Sequence, residues 1–264
     1  MKNTKYILLA AVGLVGAGVA PAFAADLPAR VYTKAPPPVV APIYNWSGFY
    51  VGLNAGGGSS HDSWTLESFA GVPLAPPIGE GSHDATGGLV GGQIGYRWQA
   101  TNWVFGLEAQ GDWADLRGSN VSALPLAAGL LTNQTKVDAI GLFTGQVGYA
   151  WNNVLWYVKG GAAVTDNRYN GLITGTGILV DSTSETRWGG AVGTGLEIGF
   201  APGWSVGFEY DHLFMGHSNN TFSTPVGGLL PAGFLTRGES ISQDIDMGTV
   251  RLNYTFGGPV VARY

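Results

Sequence analysis

Two histidine–aspartate pairs are the first residues in this sequence that could do chemistry. His61-Asp62 and His83-Asp84 lie in one stretch of the chain. Two imidazoles and two carboxylates are groups that bind transition metals. Their spacing matches no established ligand pattern, and the surrounding residues are typical of a loop. The favoured interpretation is therefore a polar loop, and we predict no metal site and no other cofactor.

A third pair, Asp211-His212, has the residue types of an acid–base dyad. Consecutive side chains on a β-strand point to opposite faces, so these two cannot act together if the segment is a strand. A hydrolase triad also needs a serine and a base on one face, and no such set can be assembled. The sequence predicts no catalytic residues and no enzyme.

A larger set of charged residues alternates with apolar ones. In 187–200, one row of alternate residues is mainly apolar, while the other contains Arg187, Glu197 and glycines. A period of two with one apolar face indicates a strand. Extending the alternation predicts one enclosed charge network of Arg97, Glu108, Asp112, Lys159, Arg187, Glu197, Glu209, Asp211 and Arg251. Four bases and five acids in a confined space imply mutual pairing, because an unpaired buried charge is costly.

The same alternation predicts eight strands, at 46–58, 86–98, 103–116, 136–151, 154–165, 186–200, 204–215 and 243–256. The predicted connections are alternately long and short. The long ones are 59–85, 117–135, 166–185 and 216–242. Short periplasmic turns, long external loops and an even strand number are typical of outer-membrane barrels. The predicted fold class is all-β, an eight-stranded antiparallel up-and-down transmembrane β-barrel, whose interior is just wide enough for side chains to fill it.

Aromatic residues flank the predicted short turns and strand ends. Such residues anchor barrels at the membrane interface. The predicted periplasmic girdle consists of Trp46, Trp98, Trp103, Trp151, Trp156, Phe200, Trp204, Tyr254 and Phe256. Trp113, Trp188 and Phe214 lie near the opposite strand ends and are predicted to contribute to an outer girdle.

The first residues resemble an export signal. Lys2 and Lys5 precede an apolar run, and Ala22-Phe23-Ala24 is a small-x-small cleavage site. We predict a signal peptide at 1–24 that is cleaved between Ala24 and Ala25. A proline-rich periplasmic linker is predicted at 25–44, followed by the barrel domain at 45–264.

Composition agrees with an exported barrel. The 264 residues include 43 glycines and no cysteine, and only 12% are charged. The 9 Trp, 11 Tyr and 11 Phe argue against disorder. The net charge of −5 disfavours nucleic acid as a partner.

Several segments resemble a known family. They include Trp46-Ser47-Gly48-Phe49-Tyr50-Val51-Gly52 at the first strand and the ending 250–259, VRLNYTFGGP. The chain is similar over 44–264 to OmpA-like eight-stranded outer-membrane barrels of the alphaproteobacterial surface-antigen type. This resemblance implies a location in the cell outer membrane, contact with its lipid and lipopolysaccharide, and insertion by the barrel assembly machinery. The assembly signal ends at either Phe256 or Tyr264.

The resemblance implies a structural, surface-exposed role in the cell envelope and supplies no catalytic residues. Two alternatives stay open at this point. The barrel could be a narrow porin-like diffusion channel, or its external loops could serve adhesion or small-ligand binding. The sequence does not predict the oligomeric state.

Overall fold

The computed structural model describes residues 44–124, 129–228 and 230–257. The predicted signal peptide, its Ala24–Ala25 junction, nearly all of the proline-rich linker and Tyr264 lie outside these ranges. Within them, no helix has the length and apolar character needed to cross a membrane.

Eight antiparallel strands form a closed barrel in which each strand pairs with the next and β8 pairs with β1. The strands are β1 (Gly48–Phe69), β2 (Val72–Ala100), β3 (Trp103–Val121), β4 (Leu131–Trp151), β5 (Val154–Ile173), β6 (Leu179–Ala201), β7 (Trp204–Ser223) and β8 (Leu235–Phe256). The predicted fold class is confirmed.

The strand register fixes the shape of the barrel. Following the paired residues once round the barrel from Gly48 leads back to β1 at Gly58, ten residues further along. With a rise of about 3.3 Å per residue and a strand spacing of about 4.8 Å, this stagger tilts the strands by about 40°. Each residue therefore climbs about 2.5 Å along the barrel axis.

Glycines make room for large side chains that cross this narrow lumen. A Cβ atom at Gly95 would overlap the phenol ring of Tyr50, and one at Gly195 would overlap that of Tyr157. Both tyrosines are buried inside the barrel. The tyrosine rings can lie over the adjacent strands because those strands lack side chains at the paired positions.

The predicted long external loops are wrong over most of their length. The strands continue through them, and the external connections are only 70–71, 122–130, 174–178 and 224–234. The first is a two-residue turn, in which Ala70 and Gly71 have φ of 48° and 77°, as tight hairpins require. The three periplasmic turns, at 101–102, 152–153 and 202–203, lie within the predicted short connections.

Strand β5 shows why the alternation of apolar and polar residues predicted strands that end too early. Near the periplasm its outward residues are apolar, as at Trp156 and Val158, and Lys159 points inward. Further along, the outward residues are Asp166 and Arg168, while Tyr169 is buried inside. The strand passes from lipid into water, so its outward face becomes polar although the strand itself does not end.

The barrel interior as candidate functional site

The charged group nearest the periplasmic end of the lumen is an ion pair between Arg97 and Glu197. Two guanidinium nitrogens donate to the two carboxylate oxygens at 3.1 and 2.8 Å, and both side chains are fully buried. Asn253 also donates to Glu197, at 3.0 Å, and the Ser205 hydroxyl donates to the same carboxylate. The Arg97 guanidinium lies 4.3 Å from the centre of the Tyr50 ring.

The next group lies further from the periplasmic end and joins two cations to three carboxylates. Arg251 donates to Glu108 and to Glu209. The Lys159 amine lies 2.7 Å from Glu209, 3.2 Å from Asp211 and 3.6 Å from Glu108. Every charge in this group faces an opposite charge within a salt-bridge distance, so removing one member would leave others unpaired.

The two remaining predicted charges lie apart from these groups. Asp112 accepts a hydrogen bond from Gln110 at 2.8 Å and contacts no base within salt-bridge distance. Arg187 pairs with Glu185 at 2.9 Å, further toward the external end. All nine residues are buried, and they form separate groups at different levels of the lumen.

An apolar layer, which the sequence analysis missed, lies above the lower charged groups. On β7 the inward residues after Asp211 are Leu213 and Met215, and on β8 Met247 and Ile245 come before Gln243. The layer consists of Ala85, Leu89, Ala114, Leu116, Val137, Ile140, Leu142, Ala163, Ala191, Leu213, Met215, Ile245 and Met247. Its signal in the sequence was a loss of alternation, since Leu213, Phe214 and Met215 are consecutive apolar residues.

The periplasmic end of the lumen is closed by a second apolar cluster, which includes Trp46. Here the predicted girdle needs a correction, because Trp46 is 0% exposed and packs inside the barrel end with Val104, Ala150, Leu155 and Tyr157. Trp46 precedes the first residue of β1, so the strand alternation does not direct its side chain outward. Its backbone amide donates to the Gln99 side chain at 2.9 Å, which holds the segment over the opening.

The other predicted girdle residues lie on the outer wall. Seven are between 41 and 61% exposed, namely Trp98, Trp103, Trp151, Trp156, Phe200, Trp204 and Phe256. Tyr254 is half-buried against Trp204, with 5.0 Å between the ring centres. Trp113, Trp188 and Phe214 are exposed about 25 Å further along the axis, a separation that matches the apolar band of an outer-membrane barrel.

The lumen beyond this outer aromatic level contains residues that the sequence analysis did not identify. Trp64, Tyr169, Phe222 and Ile241 form an upper aromatic layer. Above it, Arg237 is surrounded by carboxylates, and its guanidinium lies 3.1 Å from Glu80, 3.1 Å from Asp181 and 3.2 Å from Glu239. Signals for these residues existed, but they fell in segments read as loops.

Two carboxyls in this external part have altered acidity. Burial raises the pKa of Asp62 to about 7, although hydrogen bonds from Ser60 and Gln243 and the nearby Arg187 charge oppose the shift. Burial also raises the pKa of Glu239 to about 9, with Arg237 opposing the shift and Glu80 adding to it. At neutral pH, Glu239 is therefore protonated and Asp62 is partly protonated.

The histidine–aspartate pairs do not converge. His61 contacts Asp84 at 2.6 Å on the outer wall, whereas His83 points inward and contacts Asn120 at 2.8 Å. The four candidate ligands are thus divided between the two faces of the sheet. No group of three or more His, Cys, Asp or Glu side chains in the described ranges has the arrangement of a metal site.

Asp211 and His212 also lie on opposite faces. Asp211 is inside the lumen, while His212 contacts Asp246 on the outer wall at 2.6 Å. The Tyr210 hydroxyl donates to the same Asp246 carboxylate at 2.5 Å. Neither strand alone carries a signal for this outward polar group, because its members are on two different strands.

Comparisons with known proteins agree with this architecture. The model of the outer membrane protein beta-barrel domain family matches residues 7–228. The 31 kDa outer-membrane immunogenic proteins of Brucella melitensis and Brucella suis are 31% identical over 225 residues, which cover 81% of this chain and 89% of theirs.

Two solved outer-membrane proteins align at lower similarity. The outer membrane protease OmpT from Escherichia coli has a TM-score of 0.47 and 9% identity, covering 79% of this chain and 97% of that one. OprG from Pseudomonas aeruginosa has a TM-score of 0.44 and 12% identity, covering 82% and 100%. From the family match and the Brucella relatives, this chain belongs to the outer membrane protein β-barrel domain family, and it is a protein of the bacterial outer membrane.

Proposed function

We propose that this protein is a closed barrel with a structural, surface-exposed role in the cell envelope, and that it does not conduct. One observation carries the proposal, namely the apolar layer that crosses the lumen between two polar regions. On β4 the inward residues change from Gln146 and Thr144 to Leu142 and Ile140, with no polar side chain in between. The polar side chains beside this layer include Asp112 and Thr165, which flank Ile140. An ion entering the layer would therefore exchange most of its hydration for few polar partners, which is a large energetic barrier.

Three further features support a closed lumen. The cluster around Trp46 covers the periplasmic end, and the upper aromatic layer covers the external part. The lower charged groups are mutually paired and so offer few free ligands to a passing ion. A narrow diffusion channel would need the apolar layer, both covering clusters and the paired charges to rearrange.

The external part of the barrel supports surface exposure. Strand β1 continues from the outer aromatic level to Phe69, and at about 2.5 Å per residue it projects about 25–30 Å beyond the membrane. The Brucella relatives are named as immunogenic outer-membrane proteins, which is consistent with display of this part at the cell surface. The relatives give no support for an enzyme, and we propose no catalytic role.

Export and assembly complete the proposal. We propose that the signal peptide is removed after Ala24 and that the barrel assembly machinery inserts the chain beside lipopolysaccharide. Mass spectrometry of protein purified from outer membranes should place the new N-terminus at Ala25. A chain that keeps residues 1–24 would contradict the proposed cleavage.

The test of the closed lumen is planar-bilayer recording on refolded protein, with a heat-modifiability gel to show that the barrel has formed. We expect no single-channel steps from the folded protein. As a positive control, Leu142→Gly and Leu213→Gly are combined with Trp46→Ala and Trp64→Ala, which removes large side chains from the apolar layer and from both covering clusters and should introduce measurable conductance. Stable steps from the unchanged protein that shift with Glu108→Ala or Arg251→Ala would overturn the proposal in favour of a channel.

Surface exposure is tested separately on intact cells. We expect added protease to cut within the external connections 122–130 or 224–234 while the membrane part stays protected. Protein that is cut only after the cells are lysed would contradict display at the surface.

A further inference from the structure

A cavity of about 380 Å³ lies at the external mouth of the barrel. All four external hairpins contribute apolar side chains to it, including Leu66, Phe69, Leu131, Ile173, Val180 and Phe234. The volume falls in the range of about 300–1,000 Å³ that is typical of small-molecule sites. The cavity lies beyond the upper aromatic layer and is separate from the charged groups of the membrane part.

The apolar walls of the cavity are only partly buried. This end of the barrel faces water, where hairpin tips normally carry polar residues. Phe69 nevertheless has 62% of its surface exposed, and Phe234 has 46%. Exposed apolar side chains that converge on one cavity are typical of ligand-binding grooves.

The polar side chains that reach the cavity are already bonded to one another. The Thr236 hydroxyl donates to Asp181 at 2.7 Å. Arg237 donates to the same Asp181 carboxylate through Nε at 3.1 Å and through Nη2 at 3.3 Å. Among the described residues that line the cavity, these three supply the charged and hydroxyl groups, and all of their donors except one N–H of the Arg237 Nη2 atom donate to groups of the protein.

The charge of the floor selects against anions. One guanidinium, that of Arg237, lies among three carboxyl groups, those of Glu80, Asp181 and Glu239. A carboxylate or phosphate ligand would therefore meet no unpaired cation. A cationic ligand would find both carboxylate oxygens of Asp181 occupied by hydrogen bonds from Arg237 and Thr236.

We propose that the mouth cavity is a binding site for an uncharged, hydrophobic small molecule. The apolar walls supply the affinity by burying ligand surface, and the floor, whose polar groups are already paired with one another, excludes charged analogues. Trp64, Tyr169, Phe222 and Ile241 lie beneath the floor, so the site holds its ligand and does not pass it inward. This proposal is independent of whether the barrel conducts.

The absence of cysteine from the chain allows a site-specific test. Ile173→Cys places one thiol in the cavity wall, and Val226→Cys places one on a loop outside it, at a side chain that is 94% exposed. Each variant, folded in lipid nanodiscs, is labelled with a water-soluble maleimide in the presence of naphthalene or 2-naphthoate. Because both variants are measured in the same lipid, partitioning of naphthalene into the bilayer affects them equally.

We expect naphthalene to slow labelling of Ile173→Cys about fivefold at four times its Kd, and to leave Val226→Cys unchanged. The anion 2-naphthoate should protect neither thiol. Adding Val180→Trp to Ile173→Cys fills the cavity and should abolish the protection by naphthalene while the barrel remains heat-modifiable.

Three outcomes would overturn the proposal. A reactive thiol in the Ile173→Cys variant that naphthalene does not protect would show that the cavity does not bind it. Equal protection by 2-naphthoate would show that the ligand class is wrong. A thiol in the same variant that is unreactive without any ligand would show that the protein itself fills the cavity.

Discussion

The membrane part and the external part of this barrel share one hydrogen-bonded wall, but the polarity of its outward face is inverted between them. In the membrane part, apolar side chains such as Leu53 point outward and charged residues such as Glu197 point inward. In the external part, Arg168 points outward and Tyr169 points inward. The two-residue alternation of the strands continues across the boundary, and only the solvent on the outside changes.

This inversion explains where stability comes from in each part. An apolar side chain gains no hydrophobic free energy when it moves from lipid into the barrel interior, because lipid is already apolar. The membrane part is therefore held together by paired polar groups inside. The external part lies in water and can bury an apolar core, as a soluble barrel does. Each of the following predictions tests one side of the comparison.

The largest expected effect is the loss of a buried charge in the membrane part. Glu197→Ala leaves the fully buried Arg97 guanidinium without its carboxylate, and we expect it to lower the free energy of unfolding by about 3–5 kcal/mol. The measurement is urea unfolding in lipid vesicles, followed by tryptophan fluorescence. The matched control replaces both partners, Arg97→Met with Glu197→Leu, and its free energy of unfolding should fall much less. A double variant that is less stable than the single one would contradict this account.

The next effect concerns the outward face. Leu53 is 69% exposed near the middle of the membrane part, and Leu53→Lys should cost about 2–4 kcal/mol because the ammonium would face lipid. Ser242→Lys makes a comparable change on the outward face of the external part, where water solvates the charge, and should be nearly neutral. The same unfolding measurement compares them. Equal losses of unfolding free energy in the two variants would show that both outward faces contact the same solvent.

The third effect is a dependence on pH in the external part. The folded pKa of Asp62 is raised from 3.8 to about 7, so the folded protein binds more protons than the unfolded chain between these values. Stability should therefore fall as pH rises from about 4 to about 7, by on the order of 1–2 kcal/mol after allowance for water in the lumen. In Asp62→Asn this part of the pH dependence should be absent. A variant with an unchanged pH profile would exclude Asp62 as the titrating group.

The smallest effect is expected for an ion pair on the outside. Arg117 lies 2.7 Å from Asp115, but both side chains are more than half exposed. Exposed pairs of this kind contribute little, so Arg117→Ala should leave the unfolding curve unchanged within error. A loss approaching that of Glu197→Ala would mean that the external wall depends on surface pairing as strongly as the lumen does on buried pairing.

The membrane part was largely predictable from sequence, because lipid forces the outward face of each strand to be apolar. That constraint located the strands, the turns and the aromatic residues at the periplasmic level. It could not locate the external halves of the strands, because outward residues such as His61 and Arg168 look like loop residues once water replaces lipid. It also misplaced Trp46, whose side chain is directed by the fold of the chain before β1.

The candidate site in the interior was predictable residue by residue but not as an arrangement. Alternation identified Arg187 as an inward charge, yet its distance from Arg251 along the axis depends on the ten-residue stagger, which no single strand reveals. The apolar layer was hidden for a related reason, since residues such as Leu213 and Phe214 are apolar on both faces at that height. The mouth cavity requires side chains from all four external hairpins and has no signal in any one of them.

The long external strands also affect how an antibody would meet this protein. An antibody covers about 800 Å² of its antigen. One outward residue of a sheet occupies only about 30 Å² of wall, so such a footprint would span several neighbouring strands. Except at the hairpin connections, epitopes on this wall would be assembled from segments far apart in the sequence. Serum raised against the folded barrel should therefore lose most of its binding once the protein is boiled.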